Sequence, residues 1–181
     1  MDIKKIGIVG SGTMGMGIAQ TAAVSGFDVV LEDVGDEYLQ RALKTIDKSL
    51  SKLIEKGRIE GDKDQIIGRI KTTTNLTDLK DTNFVIEAVF EDFDVKKNII
   101  LELDKMLPPE IIITSNTSSI SITRLAALTD RPEKFMGMHF MNPVPLMKLV
   151  ELIKGIATLD ETFTQVSALA EALGKVPVEA A

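Results

Sequence analysis

The chain has 181 residues, of which 44% are hydrophobic and 27% charged, a composition typical of one ordinary globular domain. Its net charge of −6 argues against nucleic acid as the main partner, the lack of cysteine excludes disulfides, and the single histidine makes a metal site implausible. The sequence contains neither an apolar run of membrane-spanning length nor a signal peptide, so we expect a cytoplasmic protein without a membrane partner.

Strands and helices are predicted to alternate as far as residue 140, which indicates a parallel sheet covered by helices on both faces. The second helix is predicted to be long and polar apart from a narrow apolar seam, formed by Leu39, Leu43, Ile46, Leu50 and Leu53. The predicted strands span 5–9, 28–31, 70–73, 84–89, 111–114 and 134–140, and the predicted helices span 13–25, 36–55, 63–68, 94–107 and 122–128.

A glycine-rich segment connects the first predicted strand to the first predicted helix. Glycines at this spacing, after a strand and before a helix, form the phosphate-binding turn of dinucleotide-binding proteins. The first makes the tight turn, the second lets the backbone approach a pyrophosphate, and the third lets helix and strand pack closely. The helix N-terminus adds unpaired N–H groups and a positive dipole. The predicted cofactor-binding residues of this segment are Gly10, Ser11, Gly12, Thr13, Met14 and Gly15.

Two acidic residues at the end of the second predicted strand bear on which dinucleotide binds. Asp33 lies 18 residues beyond Gly15, where an acid bonds the hydroxyls of the adenosine ribose. Glu32 and Asp33 together would repel a 2′-phosphate, and no arginine follows them. The sequence therefore predicts NAD rather than NADP as the cofactor.

The pattern changes after Pro143 and Pro145. A strand predicted over 148–153 has only a short loop before it, which favours antiparallel pairing with the preceding strand. Thr158 is predicted to cap the last helix with Glu161 as its capping-box partner, and residues 175–178 to form an edge strand. The predicted fold class is α/β: a Rossmann-type doubly wound, mostly parallel sheet with antiparallel strands at the C-terminal edge.

His139, the one histidine of the chain, lies at the carboxyl end of the sixth predicted strand, where ligands of open α/β sheets bind. An antiparallel turn at the two prolines would bring Glu151 beside it. A carboxylate there would fix the imidazole tautomer and stabilise its protonated form, giving a general base for a hydroxyl proton. The alternative is a histidine satisfied within the core and a glutamate at a strand edge.

Polar residues also follow the fourth and fifth predicted strands. The hydroxyl groups within 115–119 could bond a substrate oxygen or simply cap the next helix, and both roles are compatible. Glu87 stands within an apolar strand, Glu91 lies just past its end, and Lys96 and Lys97 open the next helix. Lys97 is interpreted as solvated surface.

Four segments of the chain resemble the L-3-hydroxyacyl-CoA dehydrogenase family, which includes the 3-hydroxybutyryl-CoA dehydrogenases, in order and in spacing. The resemblance covers the whole chain and implies an NAD-binding Rossmann domain over residues 1–181. It implies an oxidoreductase that moves a hydride between the 3-hydroxyl carbon of an L-3-hydroxyacyl-CoA and NAD, in fatty-acid or butanoate metabolism. The four segments are 10–17, 86–91, 115–119 and 138–151.

The resemblance also implies roles for single residues. His139 and Glu151 match the catalytic dyad of the family. Ser118 and Asn142 match residues that hold the reacting oxygen and also contact the cofactor. The remaining matches are Glu91 and Lys96 at cofactor-binding positions, and Ser49, Lys56 and Ser118 at positions that bind the acyl-CoA substrate.

Members of the family continue into a helical domain that closes the cleft and forms a homodimer. The resemblance places the beginning of that domain after Ala181, so we expect it to be absent from these 181 residues. Two functions therefore stay open from the sequence. One is an active dehydrogenase, and the other is a nucleotide-binding unit that does not turn over without the second domain.

Overall fold

Alternating apolar strands and amphipathic helices build the molecule, and the computed structural model describes residues 3–180. The ends of the predicted domain, Met1, Asp2 and Ala181, lie outside the described residues. The strands are β1 Lys5–Val9, β2 Asp28–Glu32, β3 Ile70–Thr73, β4 Phe84–Glu87, β5 Ile112–Ser115, β6 Phe135–Phe140, β7 Leu149–Lys154 and β8 Val176–Ala180. The helices are α1 Thr13–Val24, α2 Asp36–Glu55, α3 Lys63–Gly68, α4 Phe93–Met106, α5 Ile122–Ala126 and α6 Asp160–Ala172.

The eight strands form one sheet in the order β3-β2-β1-β4-β5-β6-β7-β8. Strands β1 to β6 are parallel, β7 is antiparallel to β6, and β8 is parallel to β7. The predicted fold class is therefore confirmed. The order reverses at β1, between β2 and β4, and the carboxyl ends of strands beside such a reversal form the ligand crevice of open α/β sheets.

Helices α1 and α2, which pack in the same core cluster, owe their burial to different patterns. Helix α1 is apolar over most of its surface, and a Cβ at Gly17 would lie 2.9 Å from Val144, so the glycine lets a later loop pack on the helix. Helix α2 buries four members of the predicted seam, whereas Leu43 is only partly buried. Burial of each such leucine or isoleucine contributes about 1.5–3 kcal/mol. Among residues 3–180, no helix has the length and apolar character needed to cross a membrane.

The structure corrects the prediction at several element ends. Strand β4 stops at Glu87, because the Glu87 carboxylate accepts the Val89 N–H at 2.8 Å and turns the chain. Helix α5 ends at Ala126, two residues before its predicted end. The sequence patterns also missed two short 3-10 segments, Leu76–Asp81 and Pro132–Lys134.

The predicted capping box of the last helix is wrong. The residue preceding α6 is Leu159, which has no side-chain cap. The Thr158 hydroxyl instead donates to the Phe135 carbonyl at 2.7 Å and accepts the Gly155 N–H at 2.8 Å. Thr158 therefore fastens the turn before α6 to strand β6, and a hydroxyl occupied in this way is unavailable to the helix.

Candidate active site

The glycine-rich loop between β1 and α1 is built around two glycines that no other residue could replace. Gly10 has a φ of +95°, and a Cβ there would lie 2.7 Å from the Ala88 carbonyl oxygen. A Cβ at Gly15 would lie 1.8 Å from the Gly10 carbonyl oxygen. Gly12, in contrast, faces open space, since a Cβ there would have no atom within 4 Å, and it provides α1 with no side-chain cap. The loop therefore leaves room for a pyrophosphate against the free N–H groups of α1.

Asp33 stands at the end of β2 facing that loop. Its Oδ2 accepts both the backbone N–H and the hydroxyl of Ser11 at 2.7 Å, and its Oδ1 accepts the Val34 N–H at 2.8 Å. These bonds fix the carboxylate while leaving lone pairs for ribose hydroxyls. The glycine loop and the acid thus fit a dinucleotide without a 2′-phosphate.

Glu32 differs from its neighbour Asp33, because it is only 5% exposed. Burial, with added repulsion from Asp33 and Glu102, raises the pKa of Glu32 to about 7. At neutral pH a large share of the Glu32 carboxyls is therefore uncharged. Repulsion of a 2′-phosphate by both acids therefore stays a prediction, to which Glu32 adds less than a full negative charge at neutral pH.

The antiparallel pairing of β6 and β7 places His139 directly opposite Glu151. The Nδ1 atom of His139 lies 2.8 Å from Oε2 of Glu151, and the Nε2 atom lies 3.0 Å from the Ser118 hydroxyl. The histidine side chain is 19% exposed and that of the glutamate 38%. A carboxylate on Nδ1 favours the tautomer with its proton on that nitrogen, which leaves the Nε2 lone pair facing the Ser118 hydroxyl. These three side chains form the geometry of a general base with an orienting acid.

The loop that carries Ser118 is held by Glu91. Its Oε1 accepts the Thr117 hydroxyl at 2.5 Å and the N–H groups of Ser118 and Ser119 at 2.8 and 3.1 Å. Burial acts to raise the pKa of Glu91, but these hydrogen bonds and the charge of Lys96 outweigh it, so the pKa lies below its ordinary value. Glu91 is therefore a charged clamp on the loop, whatever contact it makes with a cofactor.

Beneath this loop lies a fully buried ion pair. The Lys96 ammonium is 2.7 Å from Oε1 of Glu87 and 3.5 Å from Oε2 of Glu91, and neither Lys96 nor Glu87 has any exposed side-chain surface. The Ser115 hydroxyl donates to the other oxygen of Glu87 at 2.5 Å. In this geometry Lys96 contacts glutamates rather than the crevice, so its predicted contact with the cofactor stays a prediction. Sequence reasoning assigned no role to Glu87, although an acid inside an apolar strand signals a buried partner.

Two asparagines lie beside the crevice. The Asn116 side-chain oxygen accepts the Phe140 N–H at 2.9 Å and so ties the end of β5 to the end of β6. Asn142 follows β6, is exposed, and precedes Pro143 through a cis peptide bond. Among residues 3–180, no group of three or more acidic or histidine side chains could hold a metal ion.

A cavity of about 400 Å³ lies between α1, α2 and the loop after β6. Asn142 lines it together with the predicted substrate residues Ser49 and Lys56. Lys52 and Arg58 add two more cations, while Ile46, Leu53, Val144, Pro145 and Leu146 make much of its wall apolar. The structure thus brings four of the predicted site residues to one cleft, since Thr13 of the glycine-rich segment lines it too, whereas Ser118 lies with His139.

The family model of the NAD-binding domain of 3-hydroxyacyl-CoA dehydrogenases matches residues 5–181. The 3-hydroxybutyryl-CoA dehydrogenase of Bradyrhizobium diazoefficiens is 52% identical over 174 residues, covering 96% of this chain and 59% of that protein. The 3-hydroxyadipyl-CoA dehydrogenase of Escherichia coli is 39% identical over 179 residues, covering 98% of this chain and 38% of that protein. The chain therefore spans less than two thirds of the length of these relatives.

A solved structure agrees with these relatives. The crystal structure of (S)-3-hydroxybutyryl-CoA dehydrogenase from Ralstonia eutropha superposes with a TM-score of 0.96 at 49% identity, covering 98% of this chain and 63% of that one. The family match spans the glycine loop, the histidine and glutamate pair and the cleft described above. The chain belongs to the 3-hydroxyacyl-CoA dehydrogenase family and forms its NAD-binding domain.

Proposed function

We propose that the protein transfers a hydride between the 3-hydroxyl carbon of an L-3-hydroxyacyl-CoA, such as 3-hydroxybutyryl-CoA, and NAD, in fatty-acid or butanoate metabolism. The observation that carries this proposal is the row of hydrogen-bonded side chains formed by Ser118, His139 and Glu151. It lies at the carboxyl end of the parallel strands, as does the dinucleotide loop. NAD supplies the hydride acceptor in the oxidation direction.

The residues of the chain handle the proton. His139 Nε2 takes the proton of the substrate 3-hydroxyl as the hydride leaves the same carbon, so the product is a ketone. Glu151, 2.8 Å from Nδ1, stabilises the resulting imidazolium. The Ser118 hydroxyl, 3.0 Å from Nε2, and the Asn142 amide hold the reacting oxygen. In the reverse direction His139 returns its proton to the ketone oxygen.

Cofactor choice follows from the glycine loop and Asp33. Gly12 leaves open space for the pyrophosphate, and Asp33 accepts the hydroxyls of the adenosine ribose. A 2′-phosphate would place negative charge against the Asp33 carboxylate. We expect NADH to bind more tightly than NADPH, and an Asp33→Ala variant to lose both affinity for NADH and this preference.

The cleft beside α2 supports an acyl-CoA as the substrate. Lys52, Lys56 and Arg58 line a cavity in a chain whose net charge is −6, so the cleft concentrates positive charge that the chain as a whole lacks. Phosphates of CoA are anions suited to such a site. Ser49 adds a hydroxyl beside these cations.

The partners are part of the same proposal. Leu149 of β7 and Val176 and Val178 of β8 are 37, 54 and 47% exposed, so these two neighbouring strands present apolar side chains at the surface. This supports a helical second domain and a homodimer in the whole protein, which we place in the cytoplasm. Sedimentation equilibrium of the intact protein tests the dimer, and a monomer at micromolar concentration would contradict it.

The test of the function is reduction of acetoacetyl-CoA by NADH in the intact protein, with His139→Gln as the variant. We expect the variant to lose about 100- to 10,000-fold in kcat, the range for a general base, and to bind NADH within about twofold of the parent. A parent protein without turnover, or a variant that keeps near-parental kcat, would contradict the proposal.

A further inference from the structure

Gln20, in the middle of α1, has a buried side chain whose hydrogen-bonding needs the protein leaves unmet. The residue is 3% exposed, and within residues 3–180 its Nε2 atom has no hydrogen-bond partner. A buried N–H donor without a partner destabilises the folded state, because it has given up its hydrogen bonds to water. Its neighbours on α1 that face the interior, such as Ile18 and Ala22, are apolar. An apolar residue would therefore be the more stable choice at this position if folding alone mattered.

The position of Gln20 indicates what this amide is for. A second cavity of about 160 Å³ adjoins the larger one, and both are lined by Gln20, Leu53, Pro145 and Leu146. Of these four shared residues only Gln20 has a polar side chain. The amide therefore lies where the two cavities meet, on the wall of the larger one.

The cleft also suits a long, thin ligand with polar groups spaced along it. Thr13 and Gln20 both line the larger cavity, and seven residues of helix separate them by about 10 Å. The same cavity is lined by Thr13 of the dinucleotide loop and Asn142, and by the cations Lys56 and Arg58. An apolar passage with one unpaired amide matches a chain of methylene groups interrupted by an amide.

We propose that Gln20 is a substrate-recognition residue whose carboxamide hydrogen-bonds the amide of the pantetheine arm nearest the thioester of acyl-CoA. This inference rests on the proposed function, since it names the part of the proposed substrate that this side chain contacts. The bond satisfies the buried amide only when substrate is bound. Gln20 then contributes to affinity for the thioester arm and leaves the chemical step to His139.

The test replaces Gln20 by methionine, which has a similar length, supports a helix and offers no amide. We expect the Kd and the KM for acetoacetyl-CoA to rise about 5- to 10-fold, as for loss of one hydrogen bond, with kcat and the Kd for NADH unchanged. Because the unpaired amide is gone, the thermal midpoint of the free variant should equal or exceed that of the parent. A residue that only supports the fold would instead show a lower midpoint.

Two shortened substrates make the test specific for an amide. The acetoacetyl thioester of N-acetylcysteamine keeps one amide of the arm, and the thioester of propanethiol keeps none. We expect Gln20→Met to lower kcat/KM for the first and to leave it unchanged for the second. Equal effects on both thioesters, or none on either, would overturn the inference.

Gln165→Met is the matched control. Gln165 also has a buried side-chain atom without a partner among residues 3–180, its Oε1, but it lies on α6 and lines neither cavity. We expect it to leave every kinetic constant unchanged. A parent that neither binds nor reduces acetoacetyl-CoA would overturn the proposed function and this inference with it. An active parent in which Gln20→Met has no amide-dependent effect would overturn the inference alone.

Discussion

The two ends of helix α4 are each fixed by a buried ion pair, and the two pairs serve different purposes. At the C-terminal end Arg131 lies 2.8 Å from Asp104 and also donates to the carbonyls of Asp104 and Leu107, at 2.6 and 3.0 Å. At the N-terminal end Lys96 pairs with Glu87 at 2.7 Å. Both pairs are taken out of water, at a cost of several kcal/mol per ion.

The difference lies in the helix dipole and in what the contacts lead to. A cation at a helix C-terminus is favoured, and Arg131 satisfies carbonyls there that the helix leaves unpaired. A cation in the first turn is disfavoured, and Lys96 is tolerated because Glu87 and Glu91 surround it. Beyond Asp104, Arg131 donates to backbone carbonyls. Lys96 instead contacts Glu91, which holds the loop that carries Ser118. One pair stabilises the fold, and the other positions the site.

The largest effect is expected from Arg131→Met. It leaves Asp104 buried and uncompensated and strips the end of α4 of its donors, so we expect a loss of about 3–5 kcal/mol in the free energy of unfolding. Urea denaturation measures it. The Kd for NADH of the folded protein should stay within about twofold. Arg69→Met, which removes a single bond to the Ala23 carbonyl, is the control and should cost about 1 kcal/mol.

Lys96→Met should cost about 3 kcal/mol of stability, the lower end of the same range, because fewer backbone carbonyls lose a donor, and it should cost considerably more function. Without Lys96, Glu87 is left buried and unpaired, and Glu91 loses the charge that holds it over the loop. We expect kcat for acetoacetyl-CoA to fall about 10- to 100-fold, because Ser118 is no longer held beside His139.

A double variant separates the two effects of Lys96. Adding Glu87→Gln to Lys96→Met removes the unpaired charge and should recover stability without recovering kcat. Lys97→Met, one position along the same helix, should change neither quantity. Recovery of kcat in the double variant would show that both ion pairs merely stabilise the fold.

Glu32 differs from Asp104 and Glu87, because it is a buried acid for which residues 3–180 provide no ion pair. Its pKa is raised from 4.5 to about 7 by burial and by the neighbouring acids. The folded state therefore keeps a proton that the unfolded chain releases, so stability falls as the pH rises from 4.5 to about 7.

Glu32→Gln should remove this pH dependence. Relative to the parent it should gain about 1–3 kcal/mol above the raised pKa and little near the ordinary one. Denaturant unfolding across that range measures the gain, with the exposed Glu110→Gln as the control. A difference between variant and parent that does not change with pH over that range would contradict the assignment.

Local patterns predicted the parts of the site that depend on chain geometry alone. The glycine loop needs its glycines for backbone reasons, and the antiparallel turn after β6 sets the register that brings Glu151 to His139. The partners of the Lys96 ammonium could not be predicted, because they depend on how α4 packs against β4. The Thr158 hydroxyl likewise donates to a carbonyl of strand β6, a contact that no local sequence pattern indicates. The raised pKa of Glu32 depends on how deeply its carboxyl is buried, and local sequence patterns do not indicate this.

The proposed reaction depends most on the tautomer of His139, which its contact with Glu151 selects. Because the chain has one histidine, isotope labelling of histidine nitrogen gives ring signals of unambiguous origin in an NMR spectrum. In the neutral ring we predict the proton on Nδ1, bonded to Glu151, and a free lone pair on Nε2 beside Ser118. Glu151→Gln should weaken that preference. A proton on Nε2 of the neutral ring in the parent would contradict the role of His139 as the base.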